Sequence, residues 1–261
     1  MKIVYIGIDL LYPALPALYN KGCSILKIFS CKTDNITEFN VKVIEFAQKY
    51  RIPVTLNRIT SEDISELKEQ GCELIISAGY YYRIPVDTDI PMINIHPTLL
   101  PVGRGVWPTP EIIMRGYDIS GVTFHKITNE FDGGDIVLQC SFSLDKRENH
   151  ITYMKKVCDL LPEMVDILIS DFSRLYEAAR AQGEGIYFEN FNEDRYTLTS
   201  QMTIEEADLI LRAFYGYECI FNTGNKSYEI IGANVTDTIH EGYIGFPLKD
   251  GYVETKIARE L

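Results

Sequence analysis

Strand-like and helix-like segments alternate from the first residues onward, and this alternation limits what the chain can fold into more than any other feature. Lys2 to Gly7 reads as a β-branched strand, Ile25 to Ser30 as a second, and Ile52 to Leu56 and Glu73 to Ala78 as short, apolar successors. Between them, Leu11 to Asn20 predicts a helix disturbed early by Pro13 and Pro16. Glu38 to Tyr50 carries Phe39, Val41, Val43, Ile44, Phe46 and Ala47 on roughly one helical face. Glu62 to Gln70 is a further helix, which Thr60 or Ser61 can cap and Gly71 can end. Strand, helix, strand in this order implies parallel strands joined by right-handed crossovers, hence an α/β fold with a mostly parallel twisted sheet.

The strand run that follows ends on polar side chains. In Met92-Ile-Asn-Ile-His the apolar and polar residues alternate, so Asn94 and His96 project to one face, and Pro97 bars continuation as a central strand. Open α/β sheets present their ligands and chemistry where strands stop in this way. A carboxylate, Asp132, follows on a glycine-rich turn, Phe131-Asp-Gly-Gly-Asp135, between strand-like runs over Gly121 to Thr128 and Ile136 to Phe142. Singly, each residue has an ordinary reading: Asn94 bonded to a neighbouring loop, His96 a half-buried histidine, Asp132 a turn former before Gly133 and Gly134.

Taken in order, Asn94-x-His96, Thr98-Leu-Leu-Pro, Arg104-Gly105, a Pro, Gly121-Val-Thr and Asp132-Gly-Gly-Asp135 resemble the formyltetrahydrofolate-dependent formyltransferase family. The family includes methionyl-tRNA formyltransferase, glycinamide ribonucleotide formyltransferase and the N-formyltransferases of nucleotide-linked amino sugars. The resemblance implies a Rossmann-like domain with helices on both faces of the sheet, catalysis by Asn94, His96 and Asp132, and 10-formyltetrahydrofolate as co-substrate, with no metal. Formyl transfer to an amine needs a neutral nucleophile, a donor for the developing oxyanion and a proton acceptor, roles an Asn, a His and an Asp can fill between them. By the same resemblance folate lies between the Gly79 to Pro85 loop and the Phe131 to Asp135 turn. Tyr80, Tyr81, Tyr82, Ile84, Pro85, Phe131, Gly133, Gly134 and Asp135 are the implied contacts. Asp9, Leu10, Arg104, Gly105 and Trp107 are candidates for the acceptor side. Asp9 can equally be a helix cap and Arg104 a loop brace. Trp107, Phe214, Tyr215 and Tyr217 are candidates for stacking on a nucleotide base, with core packing the favoured role for Phe214. His125, His150 and His240 lack comparable company and read as structural or surface residues.

The remainder of the chain sets the organisation. Trp107 and Pro108 can begin a short helix over Val106 to Arg115, and Asn149 to Gln182 has apolar residues at helical spacing, predicting one long helix kinked near Pro162. A catalytic domain over 1–183, a polar linker over 184–200 and a small β-rich domain over 201–261 are expected. The last begins with a capping box at Thr203-Ile-Glu-Glu206 and contains a hairpin and at least one further strand.

Composition narrows the partner. With 25 Lys and Arg against 37 Asp and Glu, the formal charge of −12 opposes a polyanion, and no basic block offsets it. Methionyl-tRNA is therefore the less expected acceptor, and a nucleotide-linked amino sugar the more expected one. A formyltetrahydrofolate hydrolase and a non-catalytic folate- or nucleotide-binding module remain as alternatives. The loop Gly7-Ile-Asp-Leu-Leu has a single glycine where the dinucleotide fingerprint needs several, which speaks against a nicotinamide or flavin. Six scattered cysteines without Cys-x-x-Cys spacing read as reduced thiols of a cytoplasmic protein, no run suits a membrane span, and the β-rich tail could mediate a homodimer.

Overall fold

In the computed structural model, which describes residues 1–189 and 192–261, the chain begins β1 (Lys2–Gly7), α1 (Ala14–Asn20), β2 (Ser24–Phe29), α2 (Val41–Tyr50), β3 (Val54–Thr55), α3 (Ser61–Glu69) and β4 (Leu74–Ala78). It continues through β5 (Met92–His96), β6 (Val102–Arg104), α4 (Pro108–Met114), β7 (Ile119–Lys126), β8 (Ile136–Ser143), α5 (His150–Ser170), α6 (Phe172–Glu177) and β9 (Ile186–Tyr187). The final part holds β10 (Thr197–Thr199), α7 (Ile204–Ala213), β11 (Glu218–Asn222), β12 (Ser227–Ile231), β13 (Asn234–Thr236), β14 (Ile244–Pro247), β15 (Tyr252–Thr255) and β16 (Ile257–Glu260).

One seven-stranded sheet has the order β3-β2-β1-β4-β5-β7-β8. Its first five strands pair in parallel, as the strand–helix alternation requires, and β7 runs antiparallel to β5. Helices cover the sheet, so the central strands are apolar on both faces: Ile3, Val4, Tyr5 and Ile6 of β1 and all of β4 are buried. On one face Val4, Ile6, Phe29, Ile75 and Met92 pack with Ile64 and Leu67 of α3. Strand order reverses between β1 and β4, and at such a reversal the loops leaving the C-terminal strand ends generally diverge.

Helix ends combine local chemistry with long-range contacts; at α7, for example, Ile204 N donates to Asp250 Oδ1 at 2.7 Å. Thr60 caps α3 in a reciprocal box with Asp63, and Thr203 caps α7 with Glu206. Asp9 serves α2 instead of its own turn: its carboxylate accepts from Lys42 N at 2.9 Å and Val43 N at 3.0 Å. A sequence holds no sign that a loop will cap a helix so far downstream.

Several expected boundaries move. The helix expected over Leu11 to Asn20 starts at Ala14, behind a 3-10 turn at Asp9–Leu11, because Pro13 fits the cap position. The long helix predicted to kink at Pro162 continues through that residue to Ser170 and breaks at Asp171, whose backbone is at φ −140° and ψ 38°. It ends at Glu177 rather than Gln182, and Arg180 forms an antiparallel bridge with Ile136. The expected 184–200 linker contains β9 and β10, and its residues 190 and 191 lie outside the described residues.

By contact the chain divides into two units. The first comprises Met1–Arg104, Ser120–Phe142 and Met154–Tyr187, the second Gly105–Ile119, Ser143–Tyr153 and Phe188–Leu261. The expected contiguous boundaries at 183 and 201 therefore do not describe the contacts: two excursions from the N-terminal two thirds belong with the C-terminal residues. The physical reason is burial, since α4 packs against α7, where Ile112 and Ile113 and Ile210 and Leu211 leave solvent. In the second unit β10-β11-β12-β16 and β13-β15-β14 form two small sheets, with Phe221 stacked on Phe246 at 4.8 Å. Of the six cysteines, Cys23, Cys31, Cys72 and Cys219 are buried and Cys140 and Cys158 half-buried, all as free thiols. Among the described residues no helix is long and apolar enough to cross a membrane.

Candidate functional site

Strand register assembles the site. Alternation along β5 puts Asn94 and His96 on one face, and the antiparallel register sets Asn94 opposite His125 and His96 opposite Thr123 of β7. Opposed residues share a face, so His125 becomes a neighbour of Asn94 although sequence analysis left it aside. Asp132 reaches the same place from the turn after β7, its backbone left-handed at φ 50°, a conformation Asp tolerates better than most residues. Gly134 allows the turn to close on β7, since a Cβ there would lie 1.9 Å from Lys126 O. His96, His125 and Asp132 are 4%, 2% and 7% exposed, so their polar atoms must find each other.

Each imidazole sets one nitrogen against a backbone carbonyl: His96 Nε2 is 2.7 Å from Gly103 O, and His125 Nδ1 is 2.9 Å from Lys126 O. A carbonyl only accepts, so those nitrogens carry the proton, and in the neutral rings His96 Nδ1 and His125 Nε2 keep their lone pairs. Both face the Asp132 carboxylate, at 3.6 Å and 3.4 Å from Oδ1. The Asn94 amide supplies the missing donors: Nδ2 is 3.1 Å from His125 Nε2 and 3.5 Å from Asp132 Oδ1. A flipped amide would set its oxygen against a lone pair and a carboxylate, so its neighbours fix its orientation. Burial pushes the His96 imidazole below its ordinary value, Asp132 opposes that effect and His125 reinforces it.

The donor atoms of His96, His125 and Asp132 all lie within 4.8 Å of one another, a spacing a cation could bridge. The Asn94 NH2 satisfies two of the three, which makes the cluster a hydrogen-bond network centred on an amide. The loop after β5 is tied down around it. Thr123 Oγ1 donates to Thr98 O at 2.7 Å, and Gln139 Nε2 donates to Leu100 O at 2.8 Å.

A slot opens beside this network, lined by Ser77, Tyr80, Tyr82, Ile84, Ile127 and Phe131 and reaching Asn94, His125 and Asp132 at its inner end. It lies between the loop after β4 and the Asp132 turn. Arg58 sits 4.0 Å over the Tyr82 ring and Arg83 5.5 Å over that of Phe131. Apolar and aromatic walls with polar groups at one end fit a flat heteroaromatic ligand whose reactive group points inward.

The other expected site residues take different places. Tyr81, 39% exposed, bonds Glu38, and Pro85, Gly133, Gly134 and Asp135 do not line the slot; Asp135 meets Lys126 at 3.3 Å. Leu10 packs at Gly79, and Asp9 is the cap of α2. Arg104 is 5% exposed and braced: Nε donates to Gln182 Oε1 at 3.1 Å, Nη2 to Gly183 O at 3.1 Å, and Nη1 meets Glu130 at 3.3 Å. In the second unit Gly105 passes Phe188, whose carbonyl would stand 2.6 Å from a Cβ. Trp107 there lies 4.8 Å from Tyr217 and 6.3 Å from Phe214. Nothing local in the sequence singles out His125 or Gln182; the alternation Thr123-Phe-His125 offers a face but not the partner strand.

The network of Asn94, His96, His125 and Asp132 thus sits where β5 ends, next to a slot that Asn94, His125 and Asp132 help to line, the kind of place at which α/β proteins with a doubly wound sheet carry their chemistry. Within that class the sequence is specific. Residues 37–167 match the formyl transferase family, and the chain belongs to it. It is 30% identical over 178 residues to a methionyl-tRNA formyltransferase of Ehrlichia ruminantium, a match covering 67% of this chain and 57% of that protein. The fold is similar to HypX from Aquifex aeolicus in complex with tetrahydrofolic acid, with a TM-score of 0.72 and 18% identity over all of this chain and 44% of that one. It is also similar to the N-formyltransferase from Helicobacter canadensis, with a TM-score of 0.69 and 19% identity over 98% of both chains.

Proposed function

We propose that this chain transfers the formyl group of 10-formyltetrahydrofolate to a primary amine, most specifically the amino group of a nucleotide-linked amino sugar. The observation that carries the reading is the meeting of Asn94, His96 and Asp132 in one buried network, with Asn94 and Asp132 lining an aromatic-walled slot, in a chain of the formyl transferase family. When bound, the folate supplies an activated formyl carbon; the chain's residues do the rest. His96, neutral through burial and with Nε2–H committed to Gly103 O, takes the amine proton at Nδ1 and returns it to the folate nitrogen as the bond between that nitrogen and the formyl carbon breaks. Asp132, 3.6 Å from that nitrogen, stabilises the imidazolium that results. Asn94 keeps one N–H on His125 and turns the other, now at the longer 3.5 Å contact to Asp132, toward a developing oxyanion, a donor worth about 2.7–4 kcal/mol.

The acceptor follows from charge and from the neighbours. A net −12 repels a polyanion, and the solved Helicobacter canadensis protein carries folinic acid and dTDP-3-aminofucose. A methionyl-tRNA acceptor is the second reading, favoured by the curated relatives that match in sequence. The test incubates the protein with 10-formyltetrahydrofolate and either a panel of nucleotide-linked amino sugars or methionyl-tRNA. Formylated sugar is expected, with turnover falling about 10²–10³-fold in Asn94→Ala. Formylation of methionyl-tRNA alone refutes the sugar. Formate released without an acceptor marks a hydrolase, and no turnover at all leaves a binding module.

A further inference from the structure

The residues after α6 were expected to finish a long helix at Gln182 and to begin a linker at 184, yet their hydrogen bonds converge on the turn that carries Asp132. Arg180 and Ile136 exchange both backbone bonds, at 2.8 Å and 3.0 Å, which starts the segment along β8. Gln182 Nε2 then donates to Asp132 O at 2.8 Å and to Gly134 O at 2.5 Å. Tyr187 closes the series by donating from its hydroxyl to Phe131 O at 2.6 Å. Carbonyls of Phe131, Asp132 and Gly134 are therefore all held by side chains from this one segment. The Gln182 amide cannot turn over, because its Oε1 accepts from the buried Arg104 guanidinium while Nε2 faces two carbonyls. Gly185 lets the segment pass close by, since a Cβ there would stand 2.6 Å from that guanidinium and 2.9 Å from Pro101 O.

The geometry points to Gln182 as a positioning residue for Asp132, with Arg104 locking its amide: the pair fixes the left-handed turn so that the carboxylate stays within reach of Asn94, His96 and His125. A non-glycine residue at φ 50° holds that conformation only where its surroundings over-determine it. The contacts it maintains are spread over 3.4–3.6 Å, so a small shift of the turn breaks them all together. Gln182 touches neither the slot nor the reacting atoms, and the inference rests on the role proposed above for Asp132.

Gln182→Glu is the informative variant. It keeps the shape and the acceptor for Arg104 and removes both donors to the turn. We expect kcat to fall by up to about 100-fold, with KM for formyltetrahydrofolate little changed. Asp132 and His125 are the titratable groups facing His96, and Asp132 raises its pKa. A displaced Asp132 lets that pKa fall, so the acid limb of the kcat/KM profile moves to lower pH in Gln182→Glu, as it does in Asp132→Asn. Unchanged turnover and profile in Gln182→Glu, beside a strongly impaired Asp132→Asn, overturn the positioning role. So does a lowered melting temperature with wild-type kinetics below it. Wild-type turnover in Asp132→Asn sinks the proposed function, and the inference with it.

Discussion

His150, in the second unit, gives a prediction whose size the structure supplies. The ring is 8% exposed, packs edge-on against Tyr217 at 5.1 Å and has Nδ1 3.0 Å from Thr109 Oγ1. No carboxylate pairs with it in these contacts, and burial alone pushes its imidazole down from 6.5 to about 4. Its position at the start of α5 adds the unfavourable sign of the helix N-terminus for a cation. The unfolded chain therefore takes up the proton first, so the contribution to stability is complete above pH 6.5 and is lost as pH falls from 6.5 toward 4. At about 1.4 kcal/mol per pH unit the loss amounts to about 3 kcal/mol. Denaturant unfolding of the wild type and of His150→Gln, measured at pH steps from about 7.5 to about 4, isolates this share because all other groups are common to both. The wild type starts the more stable and the two curves converge or cross on acidification. Parallel curves across that window refute a buried neutral imidazole at this position.

Two further substitutions test the frame around the site. Gly134→Ala forces a Cβ to within 1.9 Å of Lys126 O, so equilibrium unfolding should show a loss of about 1–3 kcal/mol and the variant should lose formyl transfer; an active, equally stable variant contradicts the turn geometry. Thr203→Ala removes the hydroxyl that accepts from Glu206 N and should cost about 1 kcal/mol in the same measurement, with turnover unaffected.

What was legible in the sequence is what depends on near neighbours. Apolar β-branched runs and helical spacing mark the elements of the first unit, and period-two alternation already puts Asn94 and His96 on one face. The motif order added Asp132. What stayed hidden depends on pairing between distant segments. His125 joins the network only because β7 runs antiparallel to β5 in the register that sets it opposite Asn94, and alternation along β7 alone cannot name a partner strand. Arg104 could have been a ligand contact or a brace, and its three hydrogen bonds to Gln182, Gly183 and Glu130 make it a brace. Pro162 drew the expected kink, yet the helix breaks at Asp171, which takes the N-cap position of α6, a weaker signal than a proline.

The region that identifies the family stops at residue 167, while two of the side chains gripping the Asp132 loop, those of Gln182 and Tyr187, come later. A gene ended where that stretch ends would still encode every group placed in the proposed reaction and would deliver the carboxylate on a turn without those two side chains. On the positioning role inferred for Gln182, a graft of this chemistry onto another scaffold carries the trailing residues along, although none of them is placed among the reacting groups.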